Sequence, residues 1–168
     1  MMVKVETAAQ QDAPGILALR RALEAWLHAR GVKQWGPGEV AAEDVQRQTA
    51  AGEWHVVRSA SCEVVAALRL LWSDEPVWQW DNAEGAYVHG LMVSRGQAGQ
   101  GVGEALLGWA VEQARAARVP VLRLDYVESN AALRGYYRRL GFTEVGRRDF
   151  EGHWHSATLL EMALPVDQ

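Results

Sequence analysis

Cysteine is nearly missing from this chain. Cys62 stands alone, so no internal disulfide can form and the fold must be held by burial. Long apolar runs are missing too. None approaches the roughly 20 residues a membrane-spanning helix needs, and "MMVKVETAAQ" lacks the apolar core of a secretory leader. We therefore expect no membrane partner and a cytoplasmic location. Nor is there a surplus of positive charge. With 17 Lys and Arg against 21 Asp and Glu, the formal charge is -4, whereas a general nucleic-acid binder needs a basic surface to release counterions from phosphates. No nucleic-acid partner is expected. No Gly-Lys pair occurs anywhere, which excludes the ATP-type phosphate loop.

What remains is a chain of 168 residues, 49% hydrophobic, long enough to bury about two thirds of its unfolded surface in one core. A single domain spanning 1–168 is expected. "VKVETA" alternates like a short strand, and in "DAPGILALRRALEAWLHARG" Ile16, Leu19, Leu23, Trp26 and Leu27 share one helical stripe, with Asp12 as cap and Gly31 as stop. A weaker helix spans Glu39 to Ala51. "EWHVVRS" and "EVVAALRLLW", joined by "ASC", read as a hairpin. "SDEPVWQWDNAEG" reads as a loop and "AYVHGLMV" as a strand. A helix follows through Ala117, then the strand "VPVLRLDY". A second helix runs from about Asn130 to Leu140, capped by Ser129 and stopped by Gly141, with Gly135 inside it costing about 1 kcal/mol relative to alanine. "FTEVGRRDF" and "HWHSATLLEMAL" close the chain as a hairpin. The order is mixed α/β around a central sheet.

Between the strand "AYVHGLMV" and the next helix, Gly96, Gly99, Gly101 and Gly103 crowd into eight residues. A glycine-rich turn at a helix N-terminus lets backbone approach a ligand closely and aims unpaired amides at an anion. The dinucleotide fingerprint fails in both frames: starting at Gly99 it meets Glu104, and starting at Gly101 it meets Leu106, where the last glycine should stand.

"LMVSRGQAGQGVGEALLGWA", followed about 25 residues later by "SNAALRGYYRRLGF", resembles the paired signature of the GNAT superfamily of acyl-CoA-dependent N-acetyltransferases. The resemblance implies a mixed, mostly antiparallel sheet of about seven strands flanked by about four helices, with strands 4 and 5 splayed. It implies acetyl-CoA as cosubstrate, its pyrophosphate held by the amides of Ala98, Gly99, Gln100, Gly101, Val102 and Gly103. Ala98 stands where the family carries Gln or Arg, which removes a side-chain contact and leaves the backbone cradle. By the same resemblance, Leu91, Met92 and Val93 would bind the pantetheine arm through backbone groups, one of them facing the thioester oxyanion. Asn130 would hydrogen-bond that arm or the backbone near it, and Tyr137 would act as general acid toward the departing thiolate. Leu133 falls where the family has a small residue.

Three side chains compete for the role of general base. Where some family members carry a catalytic glutamate, this strand has Tyr87. His89, two residues on and on the same face, has a suitable ordinary pKa near 6.5. Glu84 ahead of the strand and Asp125 on the neighbouring strand are the alternatives. His153 and His155 form a His-x-His pair, but no cysteine lies near and no metal is expected. A family-like acceptor site would lie among loops 31–38, 73–85 and 148–154, which hold Trp35, Trp78, Trp80 and Trp154 with Asp74, Glu75, Asp81, Glu84, Asp149 and Glu151. This set reads either as an aromatic, acidic wall for a cationic amine or as solvated carboxylates with tryptophans pinning the loops. Arg95, Arg134, Arg138 and Arg139 supply local positive charge near the cofactor elements, with a solvated helix face as the plainer reading for Arg134 and Arg139. The expected reaction is direct transfer of acetyl to a primary amine, on a small molecule or a protein, without a cysteine relay through Cys62. A non-catalytic acyl-CoA sensor is the alternative, and a nucleotide-binding regulator is a weaker third. Family habit allows a homodimer.

Overall fold

The computed structural model describes residues 2–36, 38–79, 81, 83–151 and 155–165. Seven strands form one sheet in the order β1-β2-β3-β4-β5-β7-β6. They are β1 (Glu6–Thr7), β2 (Trp54–Arg58), β3 (Val64–Leu71), β4 (Ala86–Val93), β5 (Val121–Val127), β6 (Thr143–Arg148) and β7 (Ala157–Ala163). Among the described strands β4 and β5 are the one parallel pair. Among the described residues five α-helices accompany them: α1 (Ala13–Ala29), α2 (Ala42–Ala50), the single turn α3 (Glu75–Trp78), α4 (Val102–Ala116) and α5 (Ala131–Arg139). This is the mixed α/β, mostly antiparallel sheet that the resemblance implied. No helix among the described residues is long and apolar enough to cross a membrane.

Side-chain alternation along the strands divides the interior by face. Leu68, Leu70, Val88, Leu122, Leu124 and Leu160 pack against Val102, Leu106, Leu107 and Ala110 of α4, with Tyr137 and Phe142 from the α5 end. On the other face, Val56, Ala67 and Met92 meet Ile16, Leu19, Leu23 and Val45 of α1 and α2. A third cluster, Val77, Trp78 and Tyr87, covers the sheet beyond α1.

Local differences from the sequence expectation have physical causes. Strand β1 is shorter than "VKVETA" because only Glu6 and Thr7 find partners, on Val56 and His55. Asp12 does not cap α1 with its side chain. Its carboxylate instead accepts the Ala9 amide at 2.8 Å and pairs with Arg58 at 2.6 Å, tying the N-terminal turn to β2. Helix α5 begins one residue later than expected, with Asn130 rather than Ser129 at its N-cap. The Ser129 hydroxyl is committed to the Lys33 carbonyl at 3.1 Å. The 73–85 segment is not all loop, since Glu75 to Trp78 wind one turn with proline in the first positions.

The feature that positions the site is the parting of β4 from β5. They pair at Ala86 with Leu122, Tyr87 with Arg123 and Val88 with Leu124, and then stop. Strand β4 continues along β3 to Val93, and β5 along β7 to Val127. Gly90 makes the divergence: its φ of +61° lies in the left-handed region, and the β3 register shifts there from Arg69 opposite His89 to Ala67 opposite Met92. The bulge also changes phase. Tyr87, His89 and Met92 face α1 and α3, while Val88, Leu91 and Val93 face α4.

Candidate active site

The glycine loop follows β4 directly. A short 3-10 turn, Arg95–Gln97, leads to Gly99 and Gly101, both at φ +77°, and Gly101 is the N-cap of α4. The first amides of α4 have no intrahelical acceptor and carry the positive end of the helix dipole. They border a recess of about 320 Å³ lined by the loop from Gln97 to Gly103 except Gln100, by Val93, Tyr136 and Arg139, and by one carboxylate, Glu104. Gln100 is exposed and does not line it; its amide donates to the Gly96 carbonyl at 3.4 Å. Tyr136 and Arg139 line this recess, although a solvated helix face is the plainer sequence reading for Arg139 and sequence gives Tyr136 no more than a packing role. Helix periodicity could have found them, since they stand either side of Tyr137 on α5.

The splay opens a narrow cleft of about 100 Å³ beside this recess, lined by Val88, Leu91, Leu124, Tyr126, Leu133 and Tyr137 with Gln34 and Trp35. Leu91 and Val93 thus face the cofactor side, while the Met92 side chain is buried on the α1 side. Tyr137 is 7% exposed, with ring contacts to Tyr126, Tyr136 and Phe142. Burial, assisted by Tyr136 and Asp125, pushes its phenol well above the ordinary tyrosine range, so it stays protonated. Asn130 does not line the cleft. Its side-chain amide donates to Gln34 Oε1 at 2.6 Å, which ties the start of α5 to the α1–α2 loop.

On the opposite side of the splay lies a larger cavity of about 360 Å³, the size of a small-molecule site. The two share Gln34, Trp35, His89, Gly90, Asp125 and Val127 as walls. His89 therefore stands at the junction. Its Nε2 is hydrogen-bonded to Asp74, and its Nδ1 lies 3.7 Å from Asp125 Oδ1. Burial works to lower the His89 pKa, but the Asp74 hydrogen bond and the charges of Asp125 and Asp74 outweigh it, and the net shift is upward. Burial raises the Asp125 carboxyl, and the His89 charge opposes it only in part. The three side chains offer ligand atoms within 4.8 Å of one another, close enough for a cation. The carboxylates flank opposite edges of the imidazole, however, one per nitrogen, which suits a shared proton better than ligands converging on one point. Glu84 is exposed and lines neither cavity.

Of the loop carboxylates and tryptophans, Asp74, Asp81, Asp149, Trp35 and Trp78 are engaged with the protein itself. Asp74 holds His89, Asp81 meets Arg123 at 3.3 Å, and Asp149 pairs with Arg147 at 3.0 Å and accepts the Ser156 hydroxyl at 2.5 Å. Trp35 lies under the Arg20 guanidinium at 4.0 Å and Trp78 under Arg123 at 4.1 Å. Trp80, His153 and Trp154 fall outside the described residues. His155 is exposed at the cavity rim. Asp74 was legible as an acidic loop residue, but its service to His89 was not.

The splayed parallel pair, the glycine cradle at the α4 N-terminus and the buried Tyr137 are linked through β4, which lends Leu91 to the cleft and Val93 to the recess. The model of the acetyltransferase (GNAT) family matches residues 20–142. The chain belongs to this family of acetyltransferases. It is 35% identical to the uncharacterized N-acetyltransferase YesJ of Bacillus subtilis over 147 residues, covering 83% of this chain and 81% of that one. It is 28% identical over 171 residues to the L-methionine sulfoximine/L-methionine sulfone acetyltransferase of Pseudomonas aeruginosa, covering 98% and 96% of the two chains. The fold superposes on yncA of Salmonella typhimurium, solved with acetyl-CoA, with a TM-score of 0.72 over 100% and 97% of the chains at 18% identity.

Proposed function

We propose that this acetyltransferase moves the acetyl group of acetyl-CoA to the primary amine of a small, carboxylate-bearing acceptor by direct attack. The observation that carries the reading is the place of His89, at the meeting of the two cavities with a carboxylate on each side. Acetyl-CoA supplies an activated acyl thioester. The residues fit it: the α4 amides and Arg139 suit the pyrophosphate, and the backbone of Leu91 to Val93, released from β5 by the splay, suits the pantetheine arm.

Each proton then has a named place. With its Nε2 proton donated to Asp74, neutral His89 leaves Nδ1 to take a proton from the incoming ammonium, directly or through water. The 3.7 Å gap to Asp125 is too long for a direct hydrogen bond and leaves room for that proton. The amine nitrogen forms the new bond to the acyl carbon while the carbon-sulfur bond breaks. Tyr137, held protonated by burial, gives its proton to the departing thiolate, and the second proton shed by the nitrogen as the amide forms returns through water to the Tyr137 phenolate, leaving amide, coenzyme A thiol and protonated His89.

Acceptor chemistry follows from which polar groups in the larger cavity are already committed. Asp44 is taken by Arg47 and the Ala41 amide, and Glu39 by Arg20. Spare capacity lies with donors. Arg20 uses Nε and Nη2 on Glu24 and Glu39, and Arg69 uses Nε and Nη2 on Glu53, so each keeps Nη1 for a ligand. Arg69 is the cross-strand partner of His89. Neighbouring strand residues stand about 5 Å apart, a span that suits the amine and carboxylate of one α-amino acid. The Pseudomonas relative's amino-acid substrates agree with this class. The test is coenzyme A release with matched acceptors, an α-amino acid against its decarboxylated amine. The amino acid should be preferred at least tenfold, and Arg69→Met should erase the preference mainly through KM; equal use of both acceptors would refute the assignment.

A further inference from the structure

Arg123 lies beneath the site without entering it. It is 5% exposed, stands on β5 two residues before Asp125, and lines none of the three recesses. Its guanidinium nonetheless has a full set of partners. Nε donates to Glu161 at 2.9 Å, Nη1 to the Asp81 carbonyl at 2.9 Å and to Tyr87 Oη at 3.3 Å, and Nη2 to the Asp81 carboxylate at 3.3 Å. Tyr87 Oη in turn donates to the Ala83 carbonyl at 2.7 Å. Glu161 alone would neutralise the buried cation. The bonds to Asp81 and the Trp78 ring stacked at 4.1 Å run to the segment between β3 and β4, and the bond to Tyr87 reaches the start of β4.

That segment also carries Asp74. The Asp74 carbonyl accepts the Trp78 amide at 2.8 Å, so Asp74 and Trp78 belong to one turn. Trp78, Asp81 and Ala83 are fastened to the floor formed by Tyr87 and Arg123, which pair in register on β4 and β5. The turn so fastened delivers the Asp74 carboxylate to His89.

We propose that Arg123 is a positioning residue for acetyl transfer, fixing the 74–83 turn on the sheet so that Asp74 stays on His89. The inference rests on the reading of His89 as the base. The other charged groups facing His89 are Asp125 on β5 and Arg69 on β3, with Arg20, Glu39, Asp44 and His155 around the cavity. None of these is fastened by Arg123, so losing the clamp removes one carboxylate from His89 and leaves the rest.

The sign of the effect separates this role from a direct one. Removing a nearby cation would by itself raise the proton affinity of His89, whereas releasing Asp74 lowers it. The experiment is an NMR titration of the His89 imidazole, assigned with His89→Gln, in wild type, Arg123→Met, Asp74→Asn and the double variant. Arg123→Met should lower the proton affinity about tenfold, and should have little further effect once Asp74→Asn is present. Tyr87→Phe keeps the cation and loses the hydroxyl's bonds to the Ala83 carbonyl and from Arg123 Nη1; it should shift the midpoint the same way by less, and it serves if Arg123→Met does not fold. A midpoint that rises or stays put in these variants would overturn the proposal, as would a full shift in the Asp74→Asn background. Because the titration needs no turnover, a wild-type protein that transfers no acetyl group would refute the proposed function while leaving the role of Arg123 decided by the midpoints.

Discussion

Tyr136 Oη lies 2.8 Å from the place a β-carbon on Gly103 would occupy. The tyrosine of α5 therefore closes on the first turn of α4, and the glycine cradle is walled by side chains from a helix remote in sequence. Gly103→Ala should leave the fold intact, since alanine is the better helix residue by about 1 kcal/mol. It should weaken acetyl-CoA binding about tenfold or more by displacing Tyr136 into the recess that would take the pyrophosphate. Calorimetry with acetyl-CoA checks the affinity, and thermal unfolding checks the fold.

Tyr137 makes a separate prediction on chemistry rather than binding. Tyr137→Phe keeps the ring contacts to Tyr126, Tyr136 and Phe142 and removes only the proton donor. The kcat should fall by about 10²-fold, the low end for general acid catalysis, with acetyl-CoA affinity held within about twofold. Equal loss in both would assign Tyr137 to binding.

In the proposed role of base His89 must be neutral, and its pKa is raised by the Asp74 hydrogen bond and the Asp125 and Asp74 charges against the effect of burial. The acid limb of kcat/KM should therefore lie above pH 6.5, with activity rising as the proton leaves. His89→Gln should lose about 10²-fold or more in rate and abolish this limb. A pH profile of the two proteins measures both effects.

His55 predicts an acid sensitivity of opposite origin. It is 8% exposed, beside Trp109 at 4.5 Å between ring centroids, and burial pushes its pKa down to about 4. The folded state thus favours the neutral ring, so its stability is complete above the unfolded pKa near 6.5 and is lost as pH falls toward 4. The loss amounts to about 3 kcal/mol. Urea unfolding across this window should show it, and a His55→Phe variant should show a flatter dependence.

Gly90 should resist substitution. At φ +61° a side chain is strained, and its β-carbon would meet Trp54 at 3.0 Å. Gly90→Ala should cost about 1 to 3 kcal/mol in urea unfolding and reduce activity beyond that loss, because the bulge sets which side chains face the splay.

Much of this was legible because it is local. Strand β4, the glycine loop and the Asn130 to Phe142 segment declare themselves through spacing, and alternation put Tyr87 with His89 on one face. The contacts that complete the site are long-range and leave no periodic trace. Asp74 reaches His89 because a one-turn helix, disguised by Pro76 as loop, folds back over the sheet. Trp35 and Trp78 look like candidate ligand surfaces in sequence, yet each carries an arginine on its ring. Asp12 sits where a cap belongs and serves Arg58 instead.

The most direct test of the account is mass spectrometry of a panel of α-amino acids incubated with the protein and isotope-labelled acetyl-CoA, run in parallel with His89→Gln. The account predicts a singly acetylated product on the α-nitrogen of at least one acceptor, formed by wild type and nearly absent with the variant. Saturable acetyl-CoA binding with no labelled product from any amine would contradict it and leave a coenzyme-binding protein without acetyl transfer.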